Sequence, residues 1–117
     1  MAVTLKTDRE PDLYEDYRPL VVSDPPMEGA DVLNLQNAIS ARGIATPTHG
    51  RFTLGSALAC VEAQYWLGLL PDTYQRRDEH GSRLITPAGQ HLILHPADRA
   101  PDQLERAKDR RGQLDLG

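Results

Sequence analysis

The clearest hydrophobic pattern along the chain lies between Thr53 and Gly68. Large apolar residues recur there at steps of four, three and four, namely Leu54, Leu58, Val61 and Tyr65. This spacing places all four on one face of an α-helix, with Thr53 suited to the N-cap and Gly68 to the left-handed residue that closes the helix. The neighbouring row begins with two small residues, Ala57 and Cys60, which would let another helix approach. The pattern predicts a helix over Leu54–Leu67 with its large apolar face in the core.

Weaker patterns predict one helix on each side of this one. The stretch Glu28–Gly43 carries a stripe of mostly apolar residues, namely Val32, Leu35, Ala38, Ile39 and Arg42. Its final glycine is suited to close the helix. Thr86 and Pro87 form a strong helix start, because threonine caps a helix and proline fits its first position. A short helix is therefore expected from Pro87 to about His95, and the three helices together predict an all-α fold, a small three-helix bundle over residues 28–95.

The two ends of the chain predict an extended arm over residues 1–27 and a tail over residues 96–117. Prolines at positions 11, 19, 25 and 26 block a helix through most of the arm. Apolar and aromatic residues are spaced along it, and the candidate assembly contacts are Tyr14, Tyr17, Leu20, Val21 and Val22. These residues favour an arm that either folds back on its own bundle or adds a strand to another subunit. The tail can form one more short helix, from Pro101 to a stop at Gly112, whose weak apolar face either frays or docks.

Composition and charge exclude several classes of function. A net charge of −4 repels phosphate backbones, so nucleic acid is not an expected partner. No apolar run approaches the roughly 18 residues of a membrane-spanning helix, so no membrane partner is expected. The single cysteine, Cys60, cannot form a disulfide within one chain and is expected to be buried. The N-terminus lacks the basic-then-apolar order of a signal peptide, which predicts that the protein starts out in the cytoplasm of its producer.

Motifs for catalysis and metal binding are weak. His91 and His95 are four residues apart on the third predicted helix, a spacing that can hold a metal, but no third ligand stands near them in the sequence. There is no serine nucleophile elbow, no phosphate-binding glycine loop and no HExxH motif. We therefore expect no enzyme activity, no metal site and no cofactor.

Glycine, glutamine and apolar residues follow a recognisable order between Met27 and Leu94. The first part of this order consists of Gly29, Val32, Leu35-Gln36 and Gly43. The second part consists of His49-Gly50-Arg51-Phe52-Thr53, Ser56, Ala59-Cys60, Ala63-Gln64 and Gly68-Leu69. The order resembles the peptidoglycan-binding domain-like family of small three-helix modules, which implies that fold and an affinity for cell-wall peptidoglycan. The positions that depart from the family pattern are His49, Thr53, Ser56, Cys60 and Ala63.

The resemblance implies a surface for wall sugars, which proteins grip with exposed aromatic and hydrogen-bonding side chains. The candidate glycan contacts are Arg51, Trp66 and Tyr74. Modules of this family usually accompany a catalytic domain and a secretion signal, and the sequence shows neither. The segment Ala63–Gly68 also resembles wall-binding-type modules carried in phage genomes.

Two functions remain open at this point. The first is a non-catalytic bacteriophage structural protein of the virion, on the capsid surface or associated with the tail. Its partners would be other virion proteins or its own copies, bound through the two ends of the chain. The alternative is a wall-binding module that targets a lytic enzyme, with peptidoglycan as its partner.

Overall fold

The computed structural model describes residues 17–71, residue 73 and residues 83–116. Two residues with predicted roles, Tyr14 and Tyr74, lie outside the described residues. The described residues include four α-helices, namely α1 (Ala30–Ser40), α2 (Leu54–Trp66), α3 (Pro87–Leu94) and α4 (Pro101–Leu116). They also include four two-residue strands, namely β1 (Leu20–Val21), β2 (Met27–Glu28), β3 (Arg51–Phe52) and β4 (Leu84–Ile85). A single 3-10 turn, Pro96–Asp98, joins α3 to α4.

The predicted all-α three-helix bundle is wrong, because the fold is a small mixed α/β domain. Strand β1 pairs antiparallel with β4, with Leu20 opposite Ile85. Strand β2 pairs in the same way with β3, with Met27 opposite Phe52. Each strand has only two residues, too few for the alternation of apolar and polar residues that identifies a strand in a sequence. The pairs satisfy backbone groups just before α1, α2 and α3, so they fix where these helices begin.

The three predicted helices themselves are confirmed, and their ends lie within three residues of the predicted positions. Gly43, at φ +85°, follows α1 in the left-handed region expected of a closing glycine. The hydroxyl of Thr86 accepts a hydrogen bond from the backbone N–H of Gly89 at 3.1 Å, which caps α3 as expected. Helix α1 turns most of its predicted stripe into the core, but Arg42 lies beyond the helix and is exposed.

Helix α2 buries the face opposite to the one that the sequence predicts. Its buried side is built mainly from small residues, of which Ala57 and Ala63 are fully covered and Cys60 is 1% exposed. Leu54 and Leu58 are each 52% exposed. The small row lets α1, α3 and α4 approach the α2 backbone closely, and a large residue in that row would overpack the contact. Because both faces of α2 are apolar, their spacing alone could not decide which one is buried.

The exposed position of Leu58 changes what a charge at that site should do. On the sequence pattern alone, Leu58→Asp would unfold the domain. With Leu58 52% exposed, we expect the substitution to change the free energy of unfolding by less than about 0.5 kcal/mol in the dilute protein. Urea denaturation at low protein concentration measures this quantity. A loss of several kcal/mol would mean that the large apolar face of α2 is buried after all.

Helix α4 docks on the domain, and it does so mainly through arginines. The end of α2 leaves backbone carbonyls without helical partners, and α4 supplies donors to them. Arg106 donates to the carbonyl of Gly68 at 2.5 Å, and Arg110 donates to the carbonyl of Tyr65 at 2.6 Å. Positive side chains at a helix C-terminus also interact favourably with its dipole. Gly112 does not stop α4 as predicted, because the helix continues to Leu116.

Candidate functional site

The described part of the arm packs against the chain's own domain. Leu20 is fully buried in the core, and Val21 beside it is half-buried. The backbone N–H of Val22 donates to the carbonyl of Arg83 at 2.9 Å. The hydroxyl of Tyr17 is 3.2 Å from Nδ1 of His91. These four candidate assembly contacts therefore fold back on their own chain, which is one of the two alternatives that the sequence left open, and the role proposed for Tyr14 stays a prediction.

His91 joins the arm to the turn that precedes α4. Its Nδ1 faces the Tyr17 hydroxyl, and its Nε2 is 2.7 Å from a carboxylate oxygen of Asp98. The rings of His91 and His95 lie close together, with centroids 4.7 Å apart. Both nitrogens of His91 already have protein partners, so the pair does not offer two open ligands to a metal. Among the described residues there is also no group of three metal-binding side chains.

The glutamine of the family-like motif is buried and links two parts of the fold through hydrogen bonds. Gln36 is 1% exposed. Its side-chain oxygen accepts a hydrogen bond from the N–H of Gly50 at 2.8 Å, and its nitrogen donates to the carbonyl of Arg51 and to the hydroxyl of Ser56, each at 3.0 Å. These bonds tie α1 to the turn before α2. This motif residue therefore has a structural role in the fold.

The α2 stripe, as we call the exposed apolar face of the central helix, is one candidate binding surface. It consists of Leu54, Leu58, Val61 and Tyr65. Two of its members are 52% exposed and Tyr65 is 38% exposed. The guanidinium of Arg110 lies 4.3 Å from the centre of the Tyr65 ring, in cation–π contact. The stripe is thus contacted by Arg110 at its C-terminal end, and it is most exposed at Leu54 and Leu58.

The second surface is a cavity of about 420 Å³ beside this stripe, which we call the Trp66 groove. Its lining residues are Arg42, Gly43, Ile44, Glu62, Trp66 and Arg111. The indole of Trp66 is half-buried and packs edge-on against the Tyr65 ring, with centroids 4.9 Å apart. The volume is in the range of small-ligand sites, which is about 300–1,000 Å³. An apolar wall flanked by charged groups can hold a ligand that has both a ring and an ionic group.

The electrostatics of the groove are dominated by arginine. Arg99 lies near the groove and donates to the carbonyl of Leu67 at 2.9 Å. Burial lowers the pKa of Arg99 below its ordinary value, and the positive charges of Arg42 and Arg111 lower it further. Arg42 and Arg111 are therefore each close enough to Arg99 to repel its charge. Among the described residues that line the groove, Glu62 is the one that is acidic.

The three candidate glycan contacts do not form one site in the part of the chain that the structure describes. Arg51 is exposed in β3, before the start of α2, whereas Trp66 is the last residue of that helix. The length of α2 separates them by roughly 18 Å, at about 1.5 Å per residue. Tyr74 lies outside the described residues. The arginines that do flank Trp66 come from the loop after α1 and from α4, and nothing in the local sequence around Trp66 points to them.

Fold and surfaces together define a small mixed α/β domain with an exposed apolar helix face beside an arginine-flanked groove. No protein-family model, no curated protein and no solved structure matches the chain. None of the helices that the structure describes has the length and apolar character needed to cross a lipid bilayer. The function therefore has to be argued from the two surfaces.

Proposed function

We propose that this protein is a non-catalytic structural protein of a bacteriophage particle, in which the α2 stripe docks on a neighbouring copy of the chain. One observation carries the proposal. Leu54 and Leu58, one helical turn apart on the same face, each keep 52% of their surface exposed. Single exposed apolar residues are common, but a contiguous row on one helix face is typical of a docking surface. Apolar anchors at positions i, i+4 and i+7 are also how helices bind in grooves and to other helices.

The charges beside the stripe support a second copy as the occupant. Glu62 follows the stripe residue Val61 in α2 and lines the groove together with Arg42 and Arg111. A surface that holds both signs of charge around an apolar centre can be complementary to itself. Symmetric dimers are built in this way, since each patch contacts the same patch on its partner. The virion location is supported by the resemblance of Ala63–Gly68 to phage-carried modules.

Sedimentation velocity of the full-length chain at increasing concentration tests the proposal. The parent chain is expected to associate, and Leu58→Lys is expected to weaken the association at least about tenfold. The reason is that a charge replaces an apolar contact worth about 1.5–3 kcal/mol, and about 1.4 kcal/mol corresponds to a factor of ten.

Leu70→Lys provides the matched control. Leu70 is 63% exposed and lies after α2, off the stripe. This variant should associate like the parent chain. A parent chain that stays monomeric at every concentration would contradict the proposal, and so would an equal loss in both variants.

Wall binding is a second candidate function, and the Trp66 groove favours it. A half-buried indole with arginine and glutamate side chains around it offers the stacking face and hydrogen-bonding groups that a wall sugar needs. Co-sedimentation with insoluble bacterial sacculi tests this function directly. Pelleting of the parent chain that Trp66→Ala weakens would support wall binding, and an absence of pelleting would leave the assembly function alone.

A further inference from the structure

The Trp66 groove carries positive charge that the described residues leave largely uncompensated. Within the described part of the chain, the side chains of Arg42 and Arg111 make neither a hydrogen bond nor an ion pair. Both are exposed, and both line the groove. Guanidinium groups in such a position are well suited to bind carboxylates, often with two parallel hydrogen bonds. The groove therefore selects an acidic ligand.

The groove and the α2 stripe form one continuous surface. Leu58, Glu62 and Trp66 follow one another at steps of four residues along α2, so they form one row on the helix. Leu58 belongs to the stripe, and the other two residues line the groove. A neighbouring copy that covers the stripe would therefore bring its own chain to the edge of the groove.

The chain itself contains a stretch with the required chemistry, Asp8–Asp16. Five of its nine residues are acidic and one is basic. Leu13 and Tyr14 stand between the acidic residues Asp12 and Glu15. This composition offers carboxylates for the two arginines and an apolar pair for the wall formed by the Trp66 indole. The stretch lies outside the described residues.

We propose that Asp8–Asp16 of a second copy of the chain binds in the Trp66 groove, with its carboxylates on Arg42 and Arg111. The inference rests on the proposed function, because the stripe brings the two copies together. In a symmetric pair each copy supplies one acidic stretch and one groove, so the same contact forms twice. Two weak contacts joined in this way act as one stronger contact, since the second forms at high effective concentration.

Charge exchange between two variants of the full-length chain tests this contact. The groove variant carries Arg42→Glu and Arg111→Glu, and the stretch variant carries Asp12→Lys and Glu15→Lys. Each variant alone places like charges in contact and should associate at least about tenfold more weakly than the parent chain in sedimentation velocity. An equimolar mixture should recover association to within about threefold of the parent, because every groove then meets a stretch of opposite charge. Lys108→Glu, an exposed charge reversal on α4 outside the groove, should associate like the parent.

The results of this experiment distinguish a failure of the groove contact from a failure of the stripe interface. If the mixture associates no better than its two components, the acidic stretch does not reach the groove of a second copy and the inference is wrong. If both charge variants associate like the parent while Leu58→Lys does not, the stripe interface stands and the inference alone fails. A variant that fails to fold cannot give recovery on mixing, so recovery supports the inference unambiguously.

Discussion

Gly68→Ala is expected to displace α4 and to lower the free energy of unfolding by about 2–5 kcal/mol. Gly68 has φ +83°, a left-handed conformation that costs other residues roughly 1–2 kcal/mol. A methyl group there would lie 2.0 Å from the carbonyl oxygen of Gln103 and 2.7 Å from the backbone nitrogen of Ala107. Both atoms belong to the backbone of α4, so the clash can be relieved only by a movement of the helix. Overpacking of this kind typically costs a further 1–3 kcal/mol.

Two other glycines distinguish the cost of the left-handed conformation from the cost of the clash with α4. Gly43 also has a positive φ, +85°, but a methyl group there would meet nothing within 4 Å. Gly43→Ala should therefore show only the conformational cost, roughly 1–2 kcal/mol. Gly112 lies inside α4 with open space around it, and Gly112→Ala should stabilise the protein by about 0.5–1 kcal/mol. Urea denaturation of the three variants measures all three effects, and equal costs at Gly68 and Gly43 would show that α4 is not packed on the end of α2.

Gln36→Leu is expected to lower the free energy of unfolding by about 1–3 kcal/mol. The substitution nearly keeps the side-chain volume and removes the two polar atoms by which Gln36 reaches the turn before α2. The N–H of Gly50 then loses its buried partner. By contrast, the hydroxyl of Ser56 keeps its hydrogen bonds with the carbonyl of Arg51 and the N–H of Thr53. One buried polar group left unsatisfied costs about 1–3 kcal/mol. Hydrogen exchange should also become faster at Gly50, whose amide is no longer held by the glutamine.

The control for this prediction lies on the same helix. Asn37 is the next residue of α1 and is exposed, so Asn37→Leu should change the free energy of unfolding by less than about 0.5 kcal/mol. If Gln36→Leu cost no more than this control, the glutamine of the family-like motif would have no structural role.

The helix ends could be predicted from the sequence because the capping residues act locally. Gly43 and Gly68 both have the positive φ that ends a helix, and Thr86 caps α3 through its hydroxyl. Such signals depend on one turn of backbone, and at these three positions tertiary packing does not override them, whereas the predicted stop at Gly112 is wrong. The same residues account for much of the family resemblance, which is why that resemblance predicts helix positions better than it predicts a ligand.

The orientation of α2 could not be predicted in the same way. Ala57 and Leu58 are neighbours in the sequence, yet the first is fully buried and the second is half-exposed. Both faces of the helix are apolar, and hydrophobic spacing alone favours the larger side chains for the core. Close approach of the surrounding helices favours the smaller ones. Tertiary packing therefore decides which face of α2 is buried, and hydrophobic spacing in the sequence does not reveal it.

The sequence does not predict the strand pairs, and it leaves open whether the predicted tail helix docks, for related physical reasons. A strand such as Leu20–Val21 is too short for an alternating pattern, and its partner, Leu84–Ile85, is far away in the sequence. Helix α4 is predicted as a tail helix, but it docks through hydrogen bonds from Arg106 and Arg110 to backbone carbonyls, so apolar spacing does not indicate the docking. Long-range pairing and arginine–carbonyl contacts leave almost no signal in a single sequence.

The candidate site could be predicted only in part. Trp66 was selected from its residue type, and it does line a groove. The arginines that give the groove its charge, Arg42 and Arg111, come from distant parts of the chain and become neighbours of Trp66 only in the folded domain. The stripe residues were recognised as a set from their spacing, and the structure reassigns them from the core to the surface.

The most direct test of the docking role of α2 is the reactivity of a thiol placed in the stripe by Leu58→Cys. Position 58 is half-exposed in the single chain, whereas the native Cys60 is 1% exposed and serves as an internal reference. We expect the introduced thiol to react quickly with a water-soluble reagent in dilute protein. As concentration rises, its rate should fall at least about tenfold, because a second copy covers the stripe. A rate that is the same at every concentration would contradict the proposed assembly through α2.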